Sequence, residues 1–351
     1  MRWHGPALDS DQRDLMAVLD DFATGREAAL ADDPDVVARL VRGLVALGVW
    51  TLGTPEEHGG GGADRATTAL VLERLGRRWP ALGWACAQAH AAVGVLAPDE
   101  RCAGLTGRVH AGTAAVAVVD AGSAHVRLAW SGDTLTGTVD RVDAAAEAPY
   151  LLVLAGEDHA YLADPSACTA RPVRRTGLGG ALTRSLEVEA SGAALLELTG
   201  VDAAAARVRL RLGAAAVAAG LAAVAAATAT AYAAERRQFG AALTALPTVR
   251  QSLLDQTTRG AVALAAALAV ADDPVRSLAA ARAACDGAID VAAAALQAHG
   301  GYGYLAEYPA ERYLRDAVSL RAAADVQGAA VAAARTLVGL GPAPSPRKDG
   351  R

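Results

Sequence analysis

Gln297-Ala298-His299-Gly300-Gly301-Tyr302-Gly303-Tyr304, followed by Glu307-Tyr308-Pro309 and Arg315-Asp316-Ala317, is the stretch on which the reading of this chain turns. The run before it, Ala279–Gln297, has helical character and stops at a double glycine, and a second helix is expected just after Pro309. Glycine lacks a Cβ and tolerates positive φ, so glycines at a helix end let a backbone come close to another group. Alone, such a corner reads equally well as a tight turn in a bundle. About sixty residues upstream stands Arg236-Arg237-Gln238-Phe239-Gly240, again at the end of a long helical run.

Together these segments resemble the acyl-CoA dehydrogenase family, whose C-terminal helical domain carries R-x-Q-F-G and Q-x-x-G-G-x-G-[YF] segments in this order and at about this distance. A third match lies far upstream. Leu47-Gly48, Thr54-Pro55-Glu56-Glu57-His58 with the glycines Gly59–Gly62, and Leu72-Glu73-Arg74-Leu75-Gly76-Arg77 are similar to the family's N-terminal domain. The resemblance implies an α+β, mostly α fold. It consists of an N-terminal helical domain over 1–111, a middle β domain over 112–200 and a C-terminal four-helix bundle over 201–341. A disordered tail over 342–351 is expected from its prolines and charges.

Periodicity supplies the same outline. Asp9–Asp21 and Asp33–Gly48 place apolar residues at three- and four-residue spacing behind acidic starts, which predicts helices. Ala114–Val119, His125–Trp130, Thr134–Val139, Tyr150–Ala155 and Ser185–Val188 have strand character between Gly, Asp and Ser. Helices are then expected over Ala203–Glu235, Gln251–Val270, Pro274–Gln297 and Ala310–Gly339.

Composition narrows the function classes. A net charge of −5 gives no case for nucleic acid or an anionic membrane as partner. Lys348 is the sole lysine, Ile289 the sole isoleucine, and asparagine is absent, a codon bias that strips the arginine excess of functional meaning. Cys86, Cys102, Cys168 and Cys285 are scattered without metal-ligand spacing and read as buried free thiols in a reducing compartment. No metal is expected. Leu212–Ala234 has no charge and is long enough to span a bilayer, but its alanines lack apolar drive, so a helix buried in the bundle is expected. The opening Met1–Pro6 has no apolar leader character, and a cytoplasmic protein is expected.

The resemblance also implies a chemistry: a carboxylate base takes the Cα proton of an acyl thioester, and FAD accepts the Cβ hydride. The position usually holding the family's glutamate, nine residues past Arg315, is Ala324, and allowing a short insertion puts Gln327 there. The alternative position, just before an arginine matched by Arg211, is Leu210. Asp325 is the carboxylate near the first location and the candidate catalytic residue. The β domain departs as well, with Val118-Val119-Asp120-Ala121-Gly122-Ser123 lacking the family's Thr-Glu pair and Asp140-Arg141-Val142-Asp143 lacking its Trp and Thr.

The retained motifs imply cofactor contacts: Arg236 with the FAD pyrophosphate, Gln238 and Gln297 with its diphosphate and ribityl-adenosine part, Phe239 with the flavin edge, and Gly300 and Gly301 in backbone approach. In the family these groups reach a neighbour's cofactor. The expected partners are therefore an acyl-CoA or acyl-carrier thioester, a homologous subunit in a homo- or hetero-oligomer (dimer or tetramer), and an electron-transfer flavoprotein. Three readings stay open: a subunit completed by a catalytic partner, a self-sufficient flavoenzyme with another base or an oxygenase chemistry, and a cofactor-free structural relative.

Overall fold

The computed structural model of the chain describes residues 3–269 and 273–340; the tail expected to be disordered lies outside these residues. Five helices come first: α1 (Ser10–Ala23), α2 (Pro34–Ala46), α3 (Arg65–Arg78), α4 (Pro80–Leu96) and α5 (Ala103–His110). Their starts are capped as the acidic residues suggest. Asp9 and Gln12 form a reciprocal capping box on α1, and Asp33 caps α2 ahead of Pro34 in its first turn.

Eight strands follow: β1 (Val116–Asp120), β2 (Val126–Ser131), β3 (Thr134–Val142), β4 (Tyr150–Ala155), β5 (His159–Ala163), β6 (Cys168–Pro172), β7 (Arg184–Ala190) and β8 (Leu195–Thr199). They form two four-stranded sheets, ordered β1-β4-β5-β8 and β2-β3-β7-β6, with β1 parallel to β4. The first sheet is buried on both faces. Ala117, Val119, Leu151 and Val153 meet the second sheet, while Val116, Val118, Leu152 and Leu154 pack into the helical core. Sequence reading missed β5, β6 and β8. The strand β6 is an edge strand, mostly exposed and closed by Pro172, and β5 is short and carries alanines, which have weak strand preference.

The C-terminal region opens with α6 (Ala203–Glu235), which packs against α3, α4, α7 and α8. Its apolar centre is long enough to cross a membrane, yet 83% of its most apolar window is buried inside the protein. Alanine and glycine let neighbours come close. A Cβ on Gly76 of α3 would lie 2.2 Å from the carbonyl oxygen of Val217, and one on Gly220 of α6 would lie 2.0 Å from that of Glu73. The glycine of the Leu-Glu-Arg-Leu-Gly-Arg segment is thus a backbone-to-backbone crossing point.

After α6 come a small hairpin, β9 (Arg237–Gln238) with β10 (Ala241–Ala242), then α7 (Pro247–Ala269) and α8 (Pro274–His299). The last expected helix, Ala310–Gly339, is not continuous. It is split into α9 (Ala310–Ala323) and α10 (Val326–Leu337) by Asp325, whose φ is +44°. The Asp325 carboxylate accepts the N–H of Gly328 at 3.2 Å, starting the new helix, and also accepts from Ser123 in the β domain. Cys86, Cys102 and Cys285 are buried free thiols, whereas Cys168 on the edge strand is only half-buried.

Candidate functional site

Two sites lie at the two ends of α6. The inner one is a cavity of about 110 Å³ between the β domain, α4, α6 and the α9–α10 break. The base-position residues Ala324, Asp325 and Leu210 line it, together with Arg211, Ser123, His125 and Trp84. Gln88 of α4, 3% exposed, fixes the strands to the helices by donating to the Asp143 carbonyl at 2.7 Å and accepting the Val118 N–H at 3.1 Å.

Ion pairs fill the cavity wall. Asp120, in the loop region lacking Thr-Glu, pairs with Arg207 of α6. Arg141 and Asp143, in the segment lacking Trp and Thr, pair at 2.5 Å, and Asp143 also accepts from Thr183. A register shift in β3 between Val139 and Val142 turns Arg141 toward α9, where it donates to the Ser319 carbonyl at 3.0 Å. Asp325 completes the set, with Ser123 donating to it and His125 Nδ1 4.0 Å away. Burial and the adjacent Arg207 hold the Arg211 guanidinium below its ordinary pKa, and it donates to the Pro274 carbonyl at 3.0 Å. Sequence reading did not single out Arg207. It stands four residues before Arg211, on the same face of α6, and that spacing was the available signal.

The outer site is a surface pocket of about 460 Å³ where the C-terminal end of α6 meets the end of α8. Arg236, Gln238, Gln297, Gly300 and Gly301 line it, so the two C-terminal motifs converge. Gly300 has φ 57° and ψ −136°, backbone territory essentially reserved for glycine. Among the described residues, no atom beyond the chain neighbours would come within 4 Å of a Cβ on either Gly300 or Gly301. His299, 2% exposed, donates from Nδ1 to the Ala295 carbonyl at 2.7 Å, and its Nε2 has no partner among the described residues. Phe239 is 89% exposed on the hairpin turn.

The two sites differ in what they can hold. The outer pocket offers a guanidinium, two amides and open glycine backbone, which suit the diphosphate and sugar of a dinucleotide. The inner cavity is far below the roughly 300–1,000 Å³ of ordinary small-molecule sites, and its wall is already ion-paired. It does not fit a flavin ring with an acyl thioester beside it. From Arg211 to Arg236 the helix rises about 38 Å, farther than one flavin dinucleotide extends. The two ends therefore cannot serve a single cofactor within one chain.

Comparison with known proteins agrees with this architecture. Residues 9–98 match the family model "Acyl-CoA dehydrogenase, N-terminal domain", and residues 200–328 match "Acyl-CoA dehydrogenase, C-terminal domain", together more than half of the chain. The chain belongs to the acyl-CoA dehydrogenase family, and the expected α+β, mostly α architecture is the one found. A curated relative, an acyl-CoA dehydrogenase of Bacillus subtilis (strain 168), is 39% identical over 93 residues, covering 24% of each protein. The match thus spans about a quarter of that relative's length. In fold, butyryl-CoA dehydrogenase from Megasphaera elsdenii aligns with TM-score 0.76 at 21% identity, over 96% of this chain and 100% of that one. A glutaryl-CoA dehydrogenase from Mycobacterium smegmatis in complex with FADH2 aligns with TM-score 0.76 at 17% identity, over 95% of both chains. Members of the family are flavin-dependent oxidoreductases.

Proposed function

We propose that this chain is a flavoprotein subunit of an acyl-CoA dehydrogenase-type assembly, completed by a homologous chain that carries the catalytic glutamate and an intact flavin-ring site. The observation that carries this reading is the asymmetry along α6: an open pocket of cofactor-binding groups at one end and an ion-paired cavity at the other. When bound, FAD supplies the hydride acceptor for α,β-dehydrogenation of an acyl thioester. This chain's part is binding. Arg236 neutralises pyrophosphate charge, Gln238 and Gln297 donate to the diphosphate and sugar, Gly300 and Gly301 admit close backbone approach, and Phe239 lies along the flavin edge. The acyl group rides on coenzyme A or on a carrier protein, and an electron-transfer flavoprotein reoxidises the assembly in the cytoplasm.

A second reading has an observation of its own. Asp325 is a carboxylate on the wall of the inner cavity, beside Leu210 and Ala324, where the family's bases stand. Under it the ion-paired wall would have to open to admit a flavin, and the chain would dehydrogenate alone with Asp325 as base.

Flavin content separates the two. The shared-site reading expects little flavin on the chain purified alone, flavin on the assembly co-purified with its homologue, and less flavin on the assembly after Arg236→Ala. Full flavin occupancy of the isolated chain, with acyl-thioester turnover abolished by Asp325→Asn, would overturn it in favour of the second reading. Losing a general base typically lowers rate by ~10²–10⁴-fold.

A further inference from the structure

We propose that Tyr302 is a positioning residue for Arg236, holding its guanidinium ready for the cofactor through the face of its ring. This rests on the shared-cofactor reading and adds to it a residue with no assigned role. The carbon at the centre of the Arg236 guanidinium lies 5.0 Å from the centroid of the Tyr302 ring, within cation–π range. The backbone of Arg236 is fixed: its N–H donates to the Tyr232 carbonyl at 2.8 Å, and its carbonyl accepts from Leu243 at 2.8 Å. Its side chain, by contrast, makes no hydrogen bond or ion pair among the described residues. The ring of Tyr302 is what it rests on.

That ring is itself anchored. Tyr302 meets Tyr308 edge-on at 5.9 Å, Tyr308 meets Tyr232 edge-on at 5.7 Å, and Tyr232 stacks on the buried His299 at 4.3 Å. The relay joins the turn after α8 to the last turn of α6, the two segments whose motifs converge on the pocket. An arginine free to rotate gives up rotamer freedom when it binds an anion, and an arginine already held over a ring gives up less. All five of its N–H donors stay available to phosphate oxygens. At 41% exposure Tyr302 is not part of the core, so its removal leaves the fold intact.

The test is FAD binding by the assembly purified through a tag on this chain, stripped of flavin and titrated by fluorescence. Tyr302→Leu is expected to weaken FAD binding about 3- to 30-fold, while Tyr302→Phe and Tyr302→Trp, which keep an aromatic face, bind as the parent does. In an Arg236→Ala background Tyr302→Leu should have no further effect, because the tyrosine acts through the arginine. Losses that multiply in the double variant would overturn the proposal, since Tyr302 would then touch the cofactor itself. So would loss on Tyr302→Phe, or an unchanged affinity in Tyr302→Leu alongside a weakened Arg236→Ala. Unchanged affinity in Arg236→Ala would instead sink the shared-cofactor reading beneath it.

Discussion

Ser123 donates its hydroxyl hydrogen to the carboxylate of Asp325, tying the loop after β1 to the break between α9 and α10 across 202 residues of chain. The same carboxylate accepts the Gly328 N–H, and Asp325 itself holds positive φ. Two of the about four acceptor sites of the carboxylate are thus taken by bonds that tie the domains together. Asp325→Ala should therefore destabilise the isolated chain by about 1.5–3 kcal/mol, the usual range for hydrogen bonds to a charged group. Turnover by the partnered assembly should fall by much less than a base deletion requires. Urea unfolding and steady-state rates on the same preparations check both; a stable variant with dead assembly would reverse the assignment.

Phe239 combines two unfavourable features, 89% exposure and a φ of +52°, next to Gly240 at +81°. Left-handed backbone costs a side-chain-bearing residue about 1–2 kcal/mol. Glycine there removes that strain and returns about 0.5–1 kcal/mol as unfolded-state entropy. Phe239→Gly should thus leave the isolated chain as stable as before or up to about 1.5 kcal/mol more stable by thermal melting. Association with the homologous chain should weaken by about 1.5–3 kcal/mol, the value of burying a phenylalanine. Sedimentation of mixed chains reads the second effect, and unchanged association would remove Phe239 from the interface.

What sequence reveals here follows the range of each interaction. The segments around Gly76 and Arg236–Gly240 are legible as family motifs, whereas the geometry each serves, a helix crossing and a hairpin turn, appears only in the structure. The bounds of α6, Ala203–Glu235, are likewise expected from an alanine-rich run without proline. The contents of the inner cavity are not legible in this way. Arg207 meets Asp120 across 87 residues and Ser123 meets Asp325 across 202, and no period or motif links such pairs. The break at Asp325 escapes for a related reason: the alanines before it are good helix formers and no proline adjoins it, while a tertiary hydrogen bond fixes the break. The convergence of Arg236 with Gln297 was implied by resemblance, whereas the relay through Tyr302 and Tyr232 that holds them needed coordinates.

Acid sensitivity should trace to His90. Burial in α4 pushes its imidazole down from 6.5 to about 4, against the backbone hydrogen bond to Cys86 that favours the charged form. The ring also accepts the Gly53 N–H at Nε2, which a protonated ring could not do. A histidine with a depressed folded-state pKa binds its proton more weakly in the native than in the unfolded chain. Its neutral form is fully accommodated above about 6.5, and stability is lost as pH falls from there toward 4. The depression corresponds to about 3 kcal/mol across that window. Unfolding free energies of the isolated chain from pH 7 to 4 should show this slope, and His90→Gln should flatten it even where it lowers stability at pH 7. A parallel slope in both proteins would assign the acid sensitivity elsewhere.

Alanine at three glycines should separate packing from propensity, because the same substitution meets different surroundings. At Gly76 a Cβ would lie 2.2 Å from a backbone oxygen of α6, and at Gly220 one would lie 2.0 Å from a backbone oxygen of α3. Backbone cannot swing aside as a side-chain end can, so α3 and α6 must move apart. Overpacking of this kind costs about 1–3 kcal/mol per site. The two sites share one crossing, so once the helices have separated for one methyl the second adds less, and the double variant should lose less than the sum. Gly107, exposed in α5, has no atom within 4 Å of the place an added methyl would take and lies in ordinary helical backbone. There alanine should stabilise by about 0.5–1 kcal/mol through helix propensity alone. Urea midpoints at constant m-value measure all four variants. Because α6 carries both half-sites at its ends, Gly76→Ala should also lower flavin retention by the assembly while Gly107→Ala leaves it alone. Equal behaviour of Gly76→Ala and Gly107→Ala would refute the crossing as the element that sets the position of α6.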